Sequence, residues 1–411
     1  MGSSRIARGA AIQRRKLNPG NENNMKLLRY MSAALLTVAM AASIPAESQT
    51  PVAYSIRDLG PVGGSPGQPI QISRDGFIAG DVVANNIAKA TLWYQKIKVN
   101  LGGRGLGGAN SAAFSVNDLL QVVGEAETST PDPNHEDFCG FRASGLTASG
   151  TCLPFLWQDG RMFALPTLGG PNGVANQIND VGEVVGMAEN STPDYACPLP
   201  QVLQFKPTLW KNGKVQKLQT VGGDPDGVAL AINRKGQAVG GSGLCTSYQL
   251  TTLINLFPLH ALLWEKGKVT DLGSLGGTGY GGGNLAFALN DQGQVVGNAD
   301  LPGDVANHAF LWTKGKGMQD LGTLQGDAIS AGLGINNSGR VVGVSLDANF
   351  NPRAFVWQNG VMTDLNTLIP TNSTLYLLLA CSINSEGQIV GFAVDTLSRE
   401  THGYIATPKW K

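Results

Sequence analysis

Histidine is the first residue type whose positions suggest chemistry. His260, His308 and His402 occupy the same position in a repeated segment, with Arg353 at that position in one further copy. Equivalent positions in a ring of packed sheets lie on the order of 10 Å or more apart. Ligands of one metal ion must each lie about 2 Å from it. We therefore expect these histidines to be repeated packing or capping residues.

Acidic residues follow several Val-Val-Gly segments and could supply oxygen ligands for Ca²⁺. They are Glu125, Glu127, Glu189, Asp300, Asp304 and Asp347. No EF-hand or nonapeptide pattern accompanies them, so we predict solvated loops and no cofactor, with Ca²⁺ as the alternative. Glycoside hydrolysis needs two carboxylates about 5–10 Å apart. The sequence does not show which carboxylates converge, and no catalytic residue is predicted.

Charge and glycine patterning argue against nucleic-acid and nucleotide binding. The formal net charge is +0 and only 15% of residues are charged, whereas nucleic-acid binding needs a basic face. The Gly-Gly pairs at 169–170, 222–223 and 276–277 lack the following Lys-Ser/Thr of a phosphate loop. A Ser-His-Asp arrangement cannot be identified from the spacing.

Four of the five cysteines lie in long connections between repeated segments. We predict disulfides Cys139–Cys152 and Cys197–Cys245, although four cysteines allow three pairings. A metal site is the rival, with His135 as the only imidazole nearby. Cys381 lies in the apolar run 375–383 and is predicted to be a buried thiol.

The histidines, acidic residues and cysteines named above are positioned by a repeated segment. Its pattern is Ile-Asn-x-x-Gly-x-Val-Val-Gly, which occurs in five close copies and two diverged ones. Asn and Gly predict a hairpin turn, with Gly at positive φ. We expect the last Gly to mark a crowded contact between neighbouring sheets. In the second copy Leu120 replaces the turn Gly, so that hairpin should differ. The residues of the clearest copies are Asn179, Gly182, Gly186, Asn290, Gly293, Gly297, Asn336, Gly339, Gly343, Asn384, Gly387 and Gly391.

Around each copy the alternating apolar residues predict four short strands, and a Trp near the end of the third strand predicts inter-blade packing. Seven such units predict an all-β fold, a seven-bladed β-propeller of four-stranded antiparallel blades. The chain enters with a segment like a fourth strand, 54–60, and leaves with one like a third strand, 402–405. We predict that these two strands pair and close the ring.

The repeats resemble the HAF family of probable extracellular repeat proteins. The His-Ala-Phe tripeptide is present at 308–310 and varied at 260–262, 353–355 and 402–404. The Asp-Leu-Gly-x-Leu-Gly-Gly segment at 271–277 fits as well. The resemblance covers roughly residues 54–408 and implies bacterial export and a repeat fold, but no activity, substrate or catalytic residue.

The N-terminus has the pattern of a secretory signal. Residues 1–24 are a basic extension or precede the true start, and 25–48 form a signal peptide with its apolar run at 31–42. An uncleaved signal-anchor is the alternative. The propeller is predicted for 53–408. We expect a monomer without a membrane span after signal removal, located outside the cell, on its surface or in the periplasm.

Long connections between the second and third strands of repeats 2, 3 and 4 predict a raised crown on one face of the ring. Insertions of this kind often carry function. The predicted function is a binding scaffold for an unknown glycan or protein. The alternatives are a carbohydrate hydrolase or lyase with carboxylates at the channel mouth, and a self-assembling surface protein. Candidate contact residues in the crown are Phe138, Phe141, Tyr195, Phe205, Tyr248 and Phe257.

Overall fold

A computed structural model describes residues 53–61, 71–102, 105–245 and 256–410. The predicted segments 1–24 and 25–48 lie outside these ranges. Within them the chain forms seven four-stranded antiparallel sheets, as predicted for a β-propeller. The same residues contain no helix long and apolar enough to cross a membrane.

The first four blades follow each other along the chain. Blade 1 contains β2 (Gln71–Ile72), β3 (Ile78–Ala84), β4 (Ile87–Tyr94) and β5 (Ile97–Asn100). Blade 2 contains β6 (Gly107–Val116), β7 (Val122–Pro131), β8 (Gly150–Gln158) and β9 (Arg161–Ala164). Blade 3 contains β10 (Gly169–Ile178), β11 (Val184–Pro193), β12 (Leu203–Lys211) and β13 (Lys214–Lys217). Blade 4 contains β14 (Asp226–Ile232), β15 (Ala238–Cys245), β16 (Leu256–Glu265) and β17 (Lys268–Asp271).

The last three blades have shorter loops, and the final one combines both ends of the chain. Blade 5 contains β18 (Leu285–Leu289), β19 (Val295–Asp300), β20 (Asn307–Thr313) and β21 (Gly317–Asp320). Blade 6 contains β22 (Ile329–Ile335), β23 (Val341–Leu346), β24 (Pro352–Gln358) and β25 (Val361–Asp364), followed by a 3₁₀ turn, Leu365–Leu368. Blade 7 contains β26 (Leu375–Ile383), β27 (Ile389–Asp395), β28 (Thr401–Lys409) and β1 (Ala53–Pro61).

Ring closure occurs between β1 and β28, as the sequence predicts. These strands pair antiparallel from Ala53 opposite Lys409 to Pro61 opposite His402. Tyr54 and Tyr404 are fully buried in this blade. The pairing covers the outer edge of β28, which would otherwise expose unpaired backbone groups.

The repeated Asn-x-x-Gly turn connects the first two strands of each blade. In blade 5, Asn290 Oδ1 accepts hydrogen bonds from the backbone N–H groups of Gln292 and Gln294, at 3.1 and 3.0 Å. Gly293 takes φ +80°, the left-handed region that glycine tolerates best. Leu120 takes φ 60° in blade 2 and the turn keeps the same hydrogen bonds, so the prediction of a different hairpin there was wrong.

The same asparagines also join one blade to the next. The Nδ2 group of Asn290 donates to the backbone oxygen of Asn336 at 3.1 Å, and Asn336 donates in turn to Asn384. The equivalent bonds start from Asn117, Asn179 and Asn233, and Asn384 donates to Ser73 of blade 1, where the series ends because serine has no amide group. One side chain therefore stabilises both the local turn and the contact between blades.

The glycine that ends each Val-Val-Gly segment is crowded, but its neighbour differs from the prediction. A Cβ atom at Gly186 would overlap the backbone oxygen of Val174, which belongs to the first strand of the same blade. The register of β10 and β11 shifts between Ala175 and Gln177, next to this contact. The glycine is thus required by an irregular pairing inside each of blades 2 to 7 and not by a contact between sheets.

Asn290→Asp is expected to destabilise the propeller by about 2 kcal/mol or more. The aspartate keeps the acceptor of the turn but replaces the donor to Asn336 with a carboxylate oxygen that repels the same carbonyl. Urea unfolding followed by tryptophan fluorescence measures the change. The matched control is Asn359→Asp, an exposed turn residue on the same face, and equal stability of the two variants would contradict the prediction.

Candidate binding face

The crown lies on the face opposite the Asn-x-x-Gly turns, because successive connections in an antiparallel blade alternate between faces. We define it as the connections 132–149 in blade 2, 194–202 in blade 3 and 246–255 in blade 4, the last of which is outside the described residues. The corresponding connections in blades 5 to 7 are 301–306, 347–351 and 396–400. The described connections in blades 2 and 3 are longer than those in blades 5 to 7.

Both predicted disulfides are present. Cys139–Cys152 ties the blade 2 loop to the start of β8, with the two Cα atoms 5.6 Å apart. Cys197–Cys245 joins the blade 3 loop to the end of β15 in blade 4, at 4.9 Å between Cα atoms. Cys381 is buried in β26 and belongs to neither bridge. The second disulfide fixes the crown across a blade boundary, and so restricts motion between two loops.

Most of the described candidate aromatic rings of the crown lie inside it. Phe138, Phe141 and Phe205 are buried in one cluster with the Cys139–Cys152 disulfide. The rings of Phe138 and Phe205 meet edge to face, with centroids 6.2 Å apart. These three rings therefore pack the blade 2 loop against blade 3. Tyr195 is 95% exposed, while Tyr248 and the Phe257 side chain lie outside the described part of the chain.

A buried polar network also holds the crown together. Glu136 of the blade 2 loop accepts hydrogen bonds from the backbone N–H groups of Val202 and Leu203 in blade 3, at 2.6 and 3.1 Å. Gln201 Nε2 donates to Glu136 at 3.2 Å and to Glu189 at 2.8 Å. This network was not foreseen, because its members come from different repeats.

Glu189 is fully buried beside Glu136. Burial raises the pKa of Glu189 well above its usual range, and the neighbouring Glu136 carboxylate raises it further. The hydrogen bond between the two carboxyl groups requires one proton. The two loops are therefore joined most strongly when Glu189 is protonated.

Several acidic residues suggested as calcium ligands instead bind backbone groups of their own blade. Glu127 accepts from Ser149 at 2.8 Å and Gly150 at 3.0 Å. Asp300 accepts from Gly281 at 2.8 Å. Asp347 accepts from Asn349 and Asn351 within its own turn. These carboxylates shape loops and strand ends.

The repeated histidines have a common partner. His260 Nδ1 lies 2.8 Å from Asp271, His308 Nδ1 lies 3.0 Å from Asp320, and His402 Nδ1 lies 2.9 Å from Asp58. Each aspartate belongs to the fourth strand that pairs with the histidine strand. The pairs explain why the His-Ala-Phe and Asp-Leu-Gly segments recur together, since one hydrogen-bonds the other.

The channel mouth on the face opposite the crown carries a compact ion-pair group. Arg234 Nη2 of blade 4 lies 2.6 Å from Asp180 of blade 3 and 3.5 Å from Asp118 of blade 2. Arg74 Nη2 lies 2.7 Å from Asp118. Burial and the nearby Asp180 raise the pKa of Asp118, while Arg74 opposes this shift. Arg234 therefore connects blade 4 to blade 2, two blades that are not adjacent.

Comparison with known proteins finds distant similarity to solved structures. No protein-family model matches the chain, and no curated protein resembles it in sequence. The β-propeller domain of the Trilobed protease from Pyrococcus furiosus is 8% identical over 88% of this chain and 96% of that domain, with a TM-score of 0.47. Porphyromonas gingivalis dipeptidyl peptidase 4 is 10% identical over 84% of this chain and 53% of its own, at 0.37. AofleA from Arthrobotrys oligospora is 10% identical over 78% of this chain and 90% of its own, at 0.33. Similarity at this level carries no argument about function.

The stability of the crown is expected to fall as the pH rises from about 5 to about 9. The pKa of Glu189 is higher in the folded than in the unfolded chain, so the folded state binds more protons in this window and loses stability as they leave. Glu189→Gln mimics the protonated carboxyl and should be the more stable protein at pH 9 by about 1 kcal/mol or more.

Thermal unfolding at pH 5, 7 and 9 measures this difference. Glu386→Gln, which changes an exposed carboxylate on the opposite face, is the control and should follow the wild-type profile. An identical pH profile for Glu189→Gln and the wild type would show that the buried carboxyl pair does not titrate as described.

Proposed function

We propose that the chain is an exported β-propeller that works as a binding scaffold, and that its ligand surface is the crown. The observation that carries the proposal is the combination of rigidity and exposure in the blade 3 loop. Cys197–Cys245 and the Gln201 hydrogen bonds hold this loop, yet Tyr195 is 95% and Leu199 is 84% exposed. A preorganised surface loses less conformational entropy on binding.

The chemistry of the exposed side chains favours an aromatic contact. A tyrosine offers a large apolar ring and a polar hydroxyl, which suit both the faces of sugar rings and protein surfaces. The neighbouring phenylalanines support the loop from inside, so the ring of Tyr195 projects from a packed base. We take a glycan as the first ligand class to test and a protein as the second.

Two disulfides stabilise the crown, one within blade 2 and one between blades 3 and 4. The disulfides fit an oxidising compartment, in agreement with export.

Enzymatic activity at the opposite mouth is the second candidate function. The raised pKa of Asp118 beside Asp180 is the specific observation that favours it, because a glycosidase uses one protonated and one ionised carboxyl group. The other contacts of these residues have a structural explanation. Asp118 Oδ1 accepts from the Asp75 backbone at 3.1 Å, and Asp180 Oδ1 accepts from the Asp118 backbone at 3.1 Å.

A glycan array probed with the protein from residue 49 onward tests the binding proposal. For any glycan that binds, Tyr195→Ala with Leu199→Ala should weaken binding by about tenfold or more. Val181→Ala is the matched control, since Val181 is 67% exposed on the opposite face, and should change nothing. Unchanged binding by the crown double variant would exclude the crown as the glycan site. Release of free sugar by the wild type, abolished in Asp118→Asn, would favour the enzymatic function over the binding scaffold.

A further inference from the structure

Glu125 lies against the Cys139–Cys152 disulfide at the base of the crown. Its Oε2 atom is 3.8 Å from Cys152 Sγ, and the ligand atoms of all three residues lie within 4.8 Å of one another. All three side chains are buried. Thiolate sulfur and carboxylate oxygen are both common zinc ligands, so this cluster has the composition of a zinc site once the disulfide is open.

The distances also fit such a site. Zinc binds thiolates at about 2.3 Å and carboxylates at about 2.0–2.2 Å in tetrahedral geometry, which separates a sulfur and an oxygen ligand by roughly 3.5 Å. Cys152 and Glu125 already lie close to that separation. Opening the disulfide would require the two sulfurs to move apart by about 2 Å to reach ligand positions.

The surroundings supply an approach for the ion. A small cleft adjoins both cysteines and is lined in part by Glu127, Glu136 and Asp137. Its carboxylates would attract a cation, and a water molecule from it could take the fourth ligand position.

We propose that the reduced crown holds one Zn²⁺ ion on Cys139, Cys152 and Glu125 in place of the disulfide. A dithiol reductant supplies two electrons and two protons, the S–S bond breaks, and the reductant becomes its own disulfide. The ion then displaces the two thiol protons and binds both thiolates and the carboxylate. The crown thus has two alternative crosslinks, one covalent and one through the metal.

The second disulfide provides an internal control. Among the described residues, no such three-residue group includes Cys197 or Cys245. Removing either disulfide leaves one bridge in the oxidised protein, so the double variants Cys139→Ser/Cys152→Ser and Cys197→Ser/Cys245→Ser are matched in number of thiols. Circular dichroism of each reduced protein verifies the β fold before metal is added.

Cobalt titration of the full chain, reduced with a phosphine, tests the site by its sulfur-to-cobalt charge-transfer absorption. We expect one Co²⁺ per chain in the wild type and in Cys197→Ser/Cys245→Ser, none in Cys139→Ser/Cys152→Ser, and affinity at least about tenfold weaker in Glu125→Gln. Zn²⁺ should displace the cobalt. Equal affinity in Glu125→Gln, or retained absorption in Cys139→Ser/Cys152→Ser, would overturn the proposal.

A measurement on the wild type alone covers the case in which a variant does not fold. Reduced protein is alkylated with iodoacetamide with and without Zn²⁺, and mass spectrometry reports each cysteine. Zinc should protect Cys139 and Cys152 and leave the reactivity of Cys197 and Cys245 unchanged. Equal protection of all four, or of none, would show that the cluster does not bind the ion.

Discussion

The propeller depends on one side chain used twice, the asparagine of the repeated hairpin. Its carbonyl oxygen holds the turn that starts each blade, and its amide nitrogen reaches the backbone of the next blade. Neither aspartate nor serine provides an equivalent acceptor and donor at the same distances. The bonds pass from Asn117 through Asn384 to Ser73, so turn formation and ring assembly are coupled. Local folding of a blade therefore prepares the surface that the next blade requires.

This coupling makes the two faces of the ring differ in how much their loops can vary. The face with the asparagine turns is crossed by hydrogen bonds and by the Arg234 ion pairs to Asp180 and Asp118, and it has little freedom to vary. The opposite face carries the connections between second and third strands, whose inter-blade bonds, such as those that Glu136 accepts from blade 3, belong to individual loops. Long insertions are tolerated there because loop closure costs little additional free energy as a loop lengthens. The repeated asparagine bonds keep one face regular and leave the loops of the crown face free to vary in length. The crown face can therefore accommodate a binding surface.

The fold could be predicted from the sequence because its signals are local and repeated. Asn290 and Gly293 specify a turn within five residues, and the terminal segment 54–60 matches the fourth strand at 269–273. The disulfides were predicted from the places of the cysteines in the crown loops, although the sequence allows three pairings. The contacts between repeats could not be predicted. Arg234 and Asp118 are 116 residues apart and meet only because the ring closes. Phe138 and Phe205 looked like surface aromatics, and only the folded loops show that each buries the other.

Burial of polar groups distinguishes the crown from an ordinary surface insertion. A loop that only covered the ring would gain stability from apolar packing alone, as Phe141 does. The crown and the strands at its base instead bury Glu136, Glu125 and Glu189, each of which must keep a hydrogen-bond partner or a proton to avoid a large desolvation cost. Such groups fix the loops in one arrangement, because any other arrangement would leave a carboxyl group without its partners. Burial and the neighbouring Glu136 raise the pKa of Glu189, so the arrangement of this carboxyl pair depends on its proton.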